Sequence, residues 1–142
     1  MKISVISICG EADHPLLDQF KKHYTREEAN ALLPEIRRWL QQLNQAQREL
    51  DKLEKRLSGM TATGNDVGGE LVNQRVKTMA DIKDVLAEFQ EREIAIKDIE
   101  RGLIDFPAIV GGKEVFLCWE QDEESVEFWH DLETGYAGRE RL

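Results

Sequence analysis

The apolar residues of this chain change their spacing once, and that change constrains the fold more than any other feature. From Ala29 to Leu57 they recur at alternating intervals of three and four residues. This spacing lines one side of an α-helix over about four heptads. After Gly102 the apolar period shortens to two, which is typical of β-strands. The sequence therefore predicts an α+β protein with long helices followed by a small antiparallel sheet.

The start of the first helix carries its own signal. Thr25 followed three residues later by Glu28 forms a capping box, in which each side chain bonds the other residue's backbone amide. Pro34 lies about two turns further on and has no backbone donor, so it predicts a kink or a restart of the helix. The main apolar stripe of this helix is Ala29, Leu32, Ile36, Trp39, Leu43, Ala46, Leu50, Leu53 and Leu57.

A second helical stripe follows a glycine-rich connector over residues 58–69. It runs from Glu70 to Arg101, with one break in the spacing at Glu93, and Gly102 predicts its C-terminal stop. The first stripe either binds a partner or packs on this second helix, and we favour the second interpretation. Two such helices predict an antiparallel, coiled-coil-like hairpin. A thin hairpin leaves apolar surface that a homodimeric four-helix bundle would cover.

The sheet is predicted to begin with a hairpin that turns at Gly111–Gly112. A two-residue turn at this point places Phe106 opposite Leu117, so that one face of the pair is apolar. The same register places Asp105 directly across from Cys118 on the opposite face. Residues 125–131 predict a third strand, which completes a small β-meander at the C-terminal end.

The segment that follows the hairpin is strongly acidic. Residues 113–134 hold eight Asp and Glu side chains and one Lys, which accounts for most of the net charge of −9. The plainest interpretation is that Trp119 and Trp129 belong to the core, that Cys118 is a small buried side chain and that the acids are solvated.

A divalent-cation site is the second interpretation of the same segment. Its predicted ligands are Asp105, Glu123, His130 and Asp131, whose carboxylates and imidazole suit zinc, manganese or iron. The usual spacing motifs of metal sites are missing from the sequence.

A third interpretation is a nucleophilic thiol, with His130 as the base for Cys118. The neighbouring anions oppose it, because they raise the pKa of a thiol.

Charge and composition exclude several classes of partner. A net charge of −9 argues against nucleic acid and against anionic membrane surfaces. The two cysteines form no CxxC pair, and no apolar run approaches the roughly 20 residues of a membrane span. We therefore predict a cytoplasmic protein with one domain over residues 25–142. Residues 1–24 are an N-terminal arm that is either mobile or forms a short strand followed by a helical segment.

Five stretches resemble an uncharacterised bacterial family that is catalogued as domain of unknown function 2203. They are "YTREEANALLPEIR", "IKDIERGLIDFPA", "LCW", "FWHD" and "GYAGR", and the resemblance covers about residues 23–142. The family has no established activity, and it often carries Glu where this chain has Asp131. The positions that match its recurring motifs are Asp98, Gly102, Asp105, Phe106, Pro107, Cys118, Trp119, Glu123, Trp129, His130, Asp131, Gly135, Gly138 and Arg139.

Among these positions Arg139 has two interpretations. It either forms an ion pair that holds the C-terminal tail or binds an anionic ligand, and we favour the ion pair.

For the whole chain we expect an interaction or scaffold protein that homodimerises through its helical hairpin. The alternative is a divalent-metal-binding protein with a hydrolase-like site in the sheet. The sequence leaves open whether the protein is an enzyme.

Overall fold

Two long helices precede an antiparallel sheet in the computed structural model of the chain, which describes residues 18–62 and 69–142. The helices are α1 (Arg26–Ala62) and α2 (Gly69–Glu91). The strands are β1 (Ala95–Asp98), β2 (Leu103–Val110), β3 (Lys113–Glu120), β4 (Phe128–Asp131) and β5 (Glu140–Arg141). They pair in chain order as a meander, so the predicted α+β class and C-terminal meander are confirmed.

The predicted capping box begins α1. The Glu28 amide donates to the Thr25 hydroxyl at 3.0 Å, and the Thr25 amide donates to the Glu28 carboxylate at 3.0 Å. The helix continues through Pro34, so the predicted restart does not occur. The proline is exposed, where water can bond the carbonyl that it leaves without a donor. The helix also includes residues 58–62 of the predicted connector, and residues 63–68 lie outside the described part of the chain.

The second helix ends ten residues earlier than predicted. At its end the Ile94 amide donates to the Phe89 carbonyl and the Glu93 amide to the Gln90 carbonyl, which is the Schellman pattern. Glu93 has φ 58°, the left-handed conformation that this motif requires. Phe89 and Ile94 both lie in the core, and their burial stabilises the stop. The break in apolar spacing at Glu93 was the sequence signal for it.

The residues beyond this stop form β1 rather than helix. Ala95 pairs with Asp105 and Ile96 with Ile104 along the edge of β2. In a helical extension these amides would donate to carbonyls of the helix itself. The edge of β2 supplies carbonyl partners as well and also a buried face for the isoleucine. The prediction of helix up to Arg101 is therefore wrong over residues 92–101.

The two helices form the predicted antiparallel hairpin. The Trp39 and Phe89 rings meet edge to face at 5.3 Å near the sheet, and Arg75 of α2 pairs with Glu54 of α1 at 2.7 Å farther out. One core joins the hairpin to the sheet, with Ile36 and Phe106 both fully buried. Neither helix in the described residues is long and apolar enough to cross a membrane.

The pairing of β2 with β3 follows the predicted register. Phe106 lies opposite Leu117 and Asp105 opposite Cys118, around a two-residue turn at Gly111–Gly112. Both glycines have positive φ, 61° and 77°, as a type I′ turn requires. Because side chains alternate along a strand, this register sends one set of residues to the helices and the other set to the opposite face of the sheet.

The chain just before α1 lies against the free edge of β2. Beyond Asp105 this edge of β2 has no pairing partner from β1. Pro107, which lies there, has no backbone N–H to donate to a neighbouring strand. The Tyr24 amide instead donates to the Pro107 carbonyl at 2.7 Å. Residues 18–24 of the predicted mobile arm therefore contact the domain, and residues 1–17 of it lie outside the described residues.

The Gly111–Gly112 turn should tolerate asparagine far better than a β-branched residue. At both positions an added Cβ would meet no atom within 4 Å, so the cost comes from the backbone alone. We expect Gly112→Val to lower the free energy of unfolding by about 1–2 kcal/mol and Gly112→Asn by less, measured by urea denaturation. Gly59→Ala, in a helix and also free of close contacts, is the control and should raise stability by up to about 1 kcal/mol. Equal losses for the valine and asparagine variants would contradict this account of the turn.

Candidate functional site

Three chemically different side chains meet on the face of the sheet that points away from the helices. Asp105 from β2 and Cys118 from β3 are direct cross-strand partners, and His130 arrives from β4. Their exposed fractions are 1%, 0% and 2%. One donor atom from each lies within 4.8 Å of the other two. We call this group the Asp–Cys–His centre.

The hydrogen bonds of His130 define which ring nitrogen faces the centre. Nδ1 lies 2.7 Å from the Asp131 carbonyl oxygen. A carbonyl oxygen can only accept, so Nδ1 carries a hydrogen. Nε2 lies 3.1 Å from both carboxylate oxygens of Asp105. The contact at Nε2 therefore holds one proton, which belongs either to an imidazolium or to a neutral Asp105, unless a cation takes its place.

Burial disfavours negative charge in the centre. Desolvation raises the pKa of Asp105, although the nearby His130 partly offsets it. Desolvation also raises the pKa of the Cys118 thiol to about 12, and the charge of Asp105 adds to this effect. A thiol in this state is a poor nucleophile. The geometry adds that Nε2 of His130 is bonded to Asp105, which further disfavours the Cys118–His130 pair as a nucleophile and its base.

The other two predicted metal ligands point elsewhere. The Glu123 carboxylate forms an ion pair with Arg139 and accepts the Glu120 amide at 3.0 Å. The Asp131 carboxylate forms an ion pair with Lys113 at 2.9 Å. Asp131 contributes to the centre only through its backbone carbonyl, which orients the His130 ring. Of the four predicted ligands, the structure brings together Asp105 and His130.

Arginines partner the acidic residues around the centre. Glu120 pairs with Arg101, Glu123 with Arg139 and Glu127 with Arg141. The bond from Arg101 lowers the pKa of Glu120, and the bond from Arg141 lowers the pKa of Glu127. Arginines of the C-terminal tail and of the turn after β1 therefore neutralise much of the negative charge of the acidic segment.

Arg139 ties the tail to the edge of the centre. Burial alone would lower the pKa of its guanidinium, but the bond with Glu123 reverses this and raises it. Its guanidinium also lies 3.9 Å from the Phe128 ring centroid and 3.9 Å from the Cys118 sulfur. The contact with Glu123 is the predicted ion pair that holds the tail.

The tryptophans lie on the helix side of the sheet. Trp119 is fully buried, and its indole nitrogen donates to the Glu123 carbonyl at 3.0 Å. Arg37 of α1 covers the Trp119 ring at 4.9 Å. Trp129 is partly buried against the same core. The predicted aromatic core is confirmed for this side, and the Asp–Cys–His centre lies on the other face.

The predicted ligand set does not include Cys118, which the sequence offers as a separate candidate. The predicted hairpin register nevertheless places Cys118 opposite Asp105 on the polar face. Glu123 belongs to the predicted set as a carboxylate of the acidic segment. The turn that carries Glu123, after β3, could not be positioned from strand periodicity.

The donor set suits a small divalent cation. A carboxylate, an imidazole and a thiolate are the three ligand types that zinc takes in proteins, at about 2.0–2.3 Å. A tetrahedral arrangement at those bond lengths separates donor atoms by about 3.3–3.7 Å. Nε2 lies 3.1 Å from Asp105, and the three donor atoms all lie within 4.8 Å of one another, so small side-chain movements would give that arrangement.

The family assignment follows from comparison with known proteins. The family model described as "Uncharacterized conserved protein (DUF2203)" matches residues 22–142, so the chain belongs to that family. No curated protein and no solved structure matched the chain. The match includes every helix and strand of the described residues and the three residues of the centre.

Asp105→Asn should separate the stability of the fold from the chemistry of the centre. The amide can donate to Nε2 of the neutral His130 tautomer, and it removes a carboxylate whose pKa burial raises. We therefore expect the metal-free variant at pH 7 to have equal stability or a gain of up to about 2 kcal/mol. Thermal unfolding monitored by circular dichroism measures this. The gain should vanish in acid, where the wild-type carboxyl is itself neutral. A large loss of stability at pH 7 would mean that the charged pair holds the fold together.

Proposed function

We propose that the protein binds a divalent cation through Asp105, Cys118 and His130. The bond from Nδ1 of His130 to the Asp131 carbonyl is the observation that carries the proposal. A metal-binding histidine usually donates its other ring hydrogen to a carbonyl or carboxylate, and this fixes the ring and its tautomer. Here that bond leaves Nε2 facing the other two donors.

Charge balance supports a divalent ion. Asp105 and Cys118 would contribute one negative charge each when they bind, so a divalent cation gives a neutral group in a place without solvent. Burial raises the pKa of both side chains, and His130 beside Asp105 and Arg139 beside Cys118 offset that rise only in part. A bound cation reverses that preference, since a coordinating thiol loses its proton.

Ligand type favours zinc over the other candidates. Thiolate ligands select zinc among the common divalent ions, whereas manganese prefers oxygen ligands. A fourth tetrahedral position would be filled by the second Asp105 oxygen or by water. Because all three ligand side chains are buried, we propose ion binding and not a reaction on a large substrate.

A second candidate function is self-association through α2. Val72, Val76 and Met79 are 39%, 57% and 45% exposed, although all three are apolar. At about 100° per residue they form one stripe, beside the face of α2 that packs on α1. The apolar arc of α2 is therefore wider than one neighbouring helix covers.

We propose a second copy of the chain as the occupant of this stripe. A two-fold axis would place the stripe of one α2 against the same stripe of its partner, so that each covers the other. The result would be a four-helix, coiled-coil-like bundle with the two sheets outside. Leu43 is only 2% exposed and lies inside the core, so association has to be tested on the stripe itself.

Metal binding is tested with the full-length protein purified without chelators. We expect elemental analysis to give one equivalent of zinc, and cobalt(II) titration to show a sulfur-to-cobalt charge-transfer band. Cys118→Ala should remove that band and weaken binding by more than about 100-fold, beyond the 10–100-fold of a typical outer-shell change. Asp131→Asn is the matched control, because its carbonyl is unchanged, and it should keep the metal. A wild-type protein that neither retains zinc nor binds cobalt would refute the proposal.

Self-association is tested by light scattering coupled to size exclusion. We expect the wild-type protein to have the mass of a dimer and Val76→Glu to have that of a monomer. A buried unpaired carboxylate should cost the interface at least about 3 kcal/mol. Gln74→Glu adds the same charge to an exposed position on the other side of α2 and should remain dimeric. A monomeric wild-type protein, or dimers for both variants, would count against the stripe.

A further inference from the structure

Residues 18–24 cross the sheet beside the Asp–Cys–His centre, and we call this segment the strap. It has no helix or strand of its own. Two carboxylates from distant parts of the fold hold four consecutive backbone amides of it. Glu114 accepts the amides of Gln19 and Phe20 at 2.8 and 3.0 Å. Glu93 accepts the next two amides at 2.8 and 2.7 Å.

Glu114 holds the strap at more than one point. Besides the two amides, its carboxylate contacts Nε2 of His23 at 2.8 Å. Asp18 lies 3.9 Å from the same ring nitrogen. Both halves of the strap are therefore attached to one side chain of β3, and loss of that side chain would remove the contacts that hold Gln19, Phe20 and His23.

Two contacts between aromatic rings connect the strap to the centre. The Phe20 ring meets the Phe116 ring edge to face, with centroids 5.4 Å apart. Phe116 in turn packs against the His130 ring at 5.6 Å. At its other end the strap rounds the edge of β2, where Tyr24 bonds Pro107 and places its ring against Phe106 in the core. The Phe20 end thus lies on the polar face, and the Tyr24 end is anchored on the helix side.

Something must move before an ion can reach ligands that are almost fully buried. The strands around the centre are held by continuous backbone ladders. The Phe20 end of the strap is held by side-chain carboxylates, largely at exposed positions. Segments with few ladder bonds open locally at much lower free energy than ladders do.

We propose that the strap is the gate of the Asp–Cys–His centre. Release of Glu114 lets the Phe20 end lift from Phe116 while Tyr24 stays anchored, and this opens the route by which a divalent ion enters and leaves. This inference rests on the proposed metal binding for its purpose, but the opening motion can be measured without metal.

The test compares Glu114→Ala and Phe20→Ala with the wild-type chain. In metal-free protein, mass spectrometric peptide mapping follows the alkylation of Cys118 by iodoacetamide. In zinc-loaded protein, excess EDTA captures each ion that leaves, and the rate at which zinc is lost is measured. Loss of these charge-assisted bonds should make both processes about tenfold faster or more in Glu114→Ala. Phe20→Ala removes the aromatic cover directly and should accelerate both in the same direction.

Glu124→Ala, in the exposed turn after β3, is the matched control and should leave both rates unchanged. If the wild-type chain binds zinc and both strap variants behave like this control, the gate is refuted and the metal proposal stands. If no variant binds zinc but labelling of Cys118 accelerates, the metal proposal fails and the opening motion stands. Melting temperatures within a few degrees of the wild type would exclude global unfolding as the cause.

Discussion

The antiparallel pairing of β2 with β3 is the constraint on which the rest of the structure depends. The Gly111–Gly112 turn sets the register, and a shift of one residue would exchange the two faces of both strands. In the observed register Phe106 and Leu117 pack on the helices. Asp105 and Cys118 lie on the other face, where β4 brings His130 to them. The hydrophobic core and the candidate centre are thus two results of one pairing.

The centre is costly for a protein of this size to maintain. A carboxylate and an imidazole are buried with a thiol whose pKa is raised to about 12, and burial of such groups opposes folding unless they find partners. The surrounding structure limits the cost. Asp131 orients the imidazole through its backbone carbonyl. Arg139 holds the tail beside Cys118, and Glu123 neutralises the charge of Arg139. A bound divalent ion would supply the compensation that the protein groups alone provide only in part.

Sequence patterns predicted most of the fold because each pattern had a local physical cause. The capping box at Thr25 and the glycine turn specify backbone geometry within a few residues. The end of α2 was predicted wrongly because Ile96 and Ile99 continue a helical spacing that also fits an edge strand. The choice between helix and strand over residues 92–101 depended on the free edge of β2, which local sequence does not reveal. The position of Glu123 away from Asp105 and His130 could not be predicted for a similar reason, since the turn after β3 has no periodicity from which to place it.

By itself the sequence determined the α+β class, the two helical stripes, the hairpin register and the pairing of Asp105 with Cys118, because these follow from periodicity and from glycine and capping chemistry over short distances. Only the tertiary structure decided that His130 turns Nε2 toward Asp105, that Glu123 is bound to Arg139, and that Phe20 packs on Phe116 beside the centre. Those arrangements depend on contacts between segments up to about a hundred residues apart, such as Gln19 with Glu114. Side-chain direction at that range follows from packing and charge pairing in three dimensions, and no local pattern encodes it.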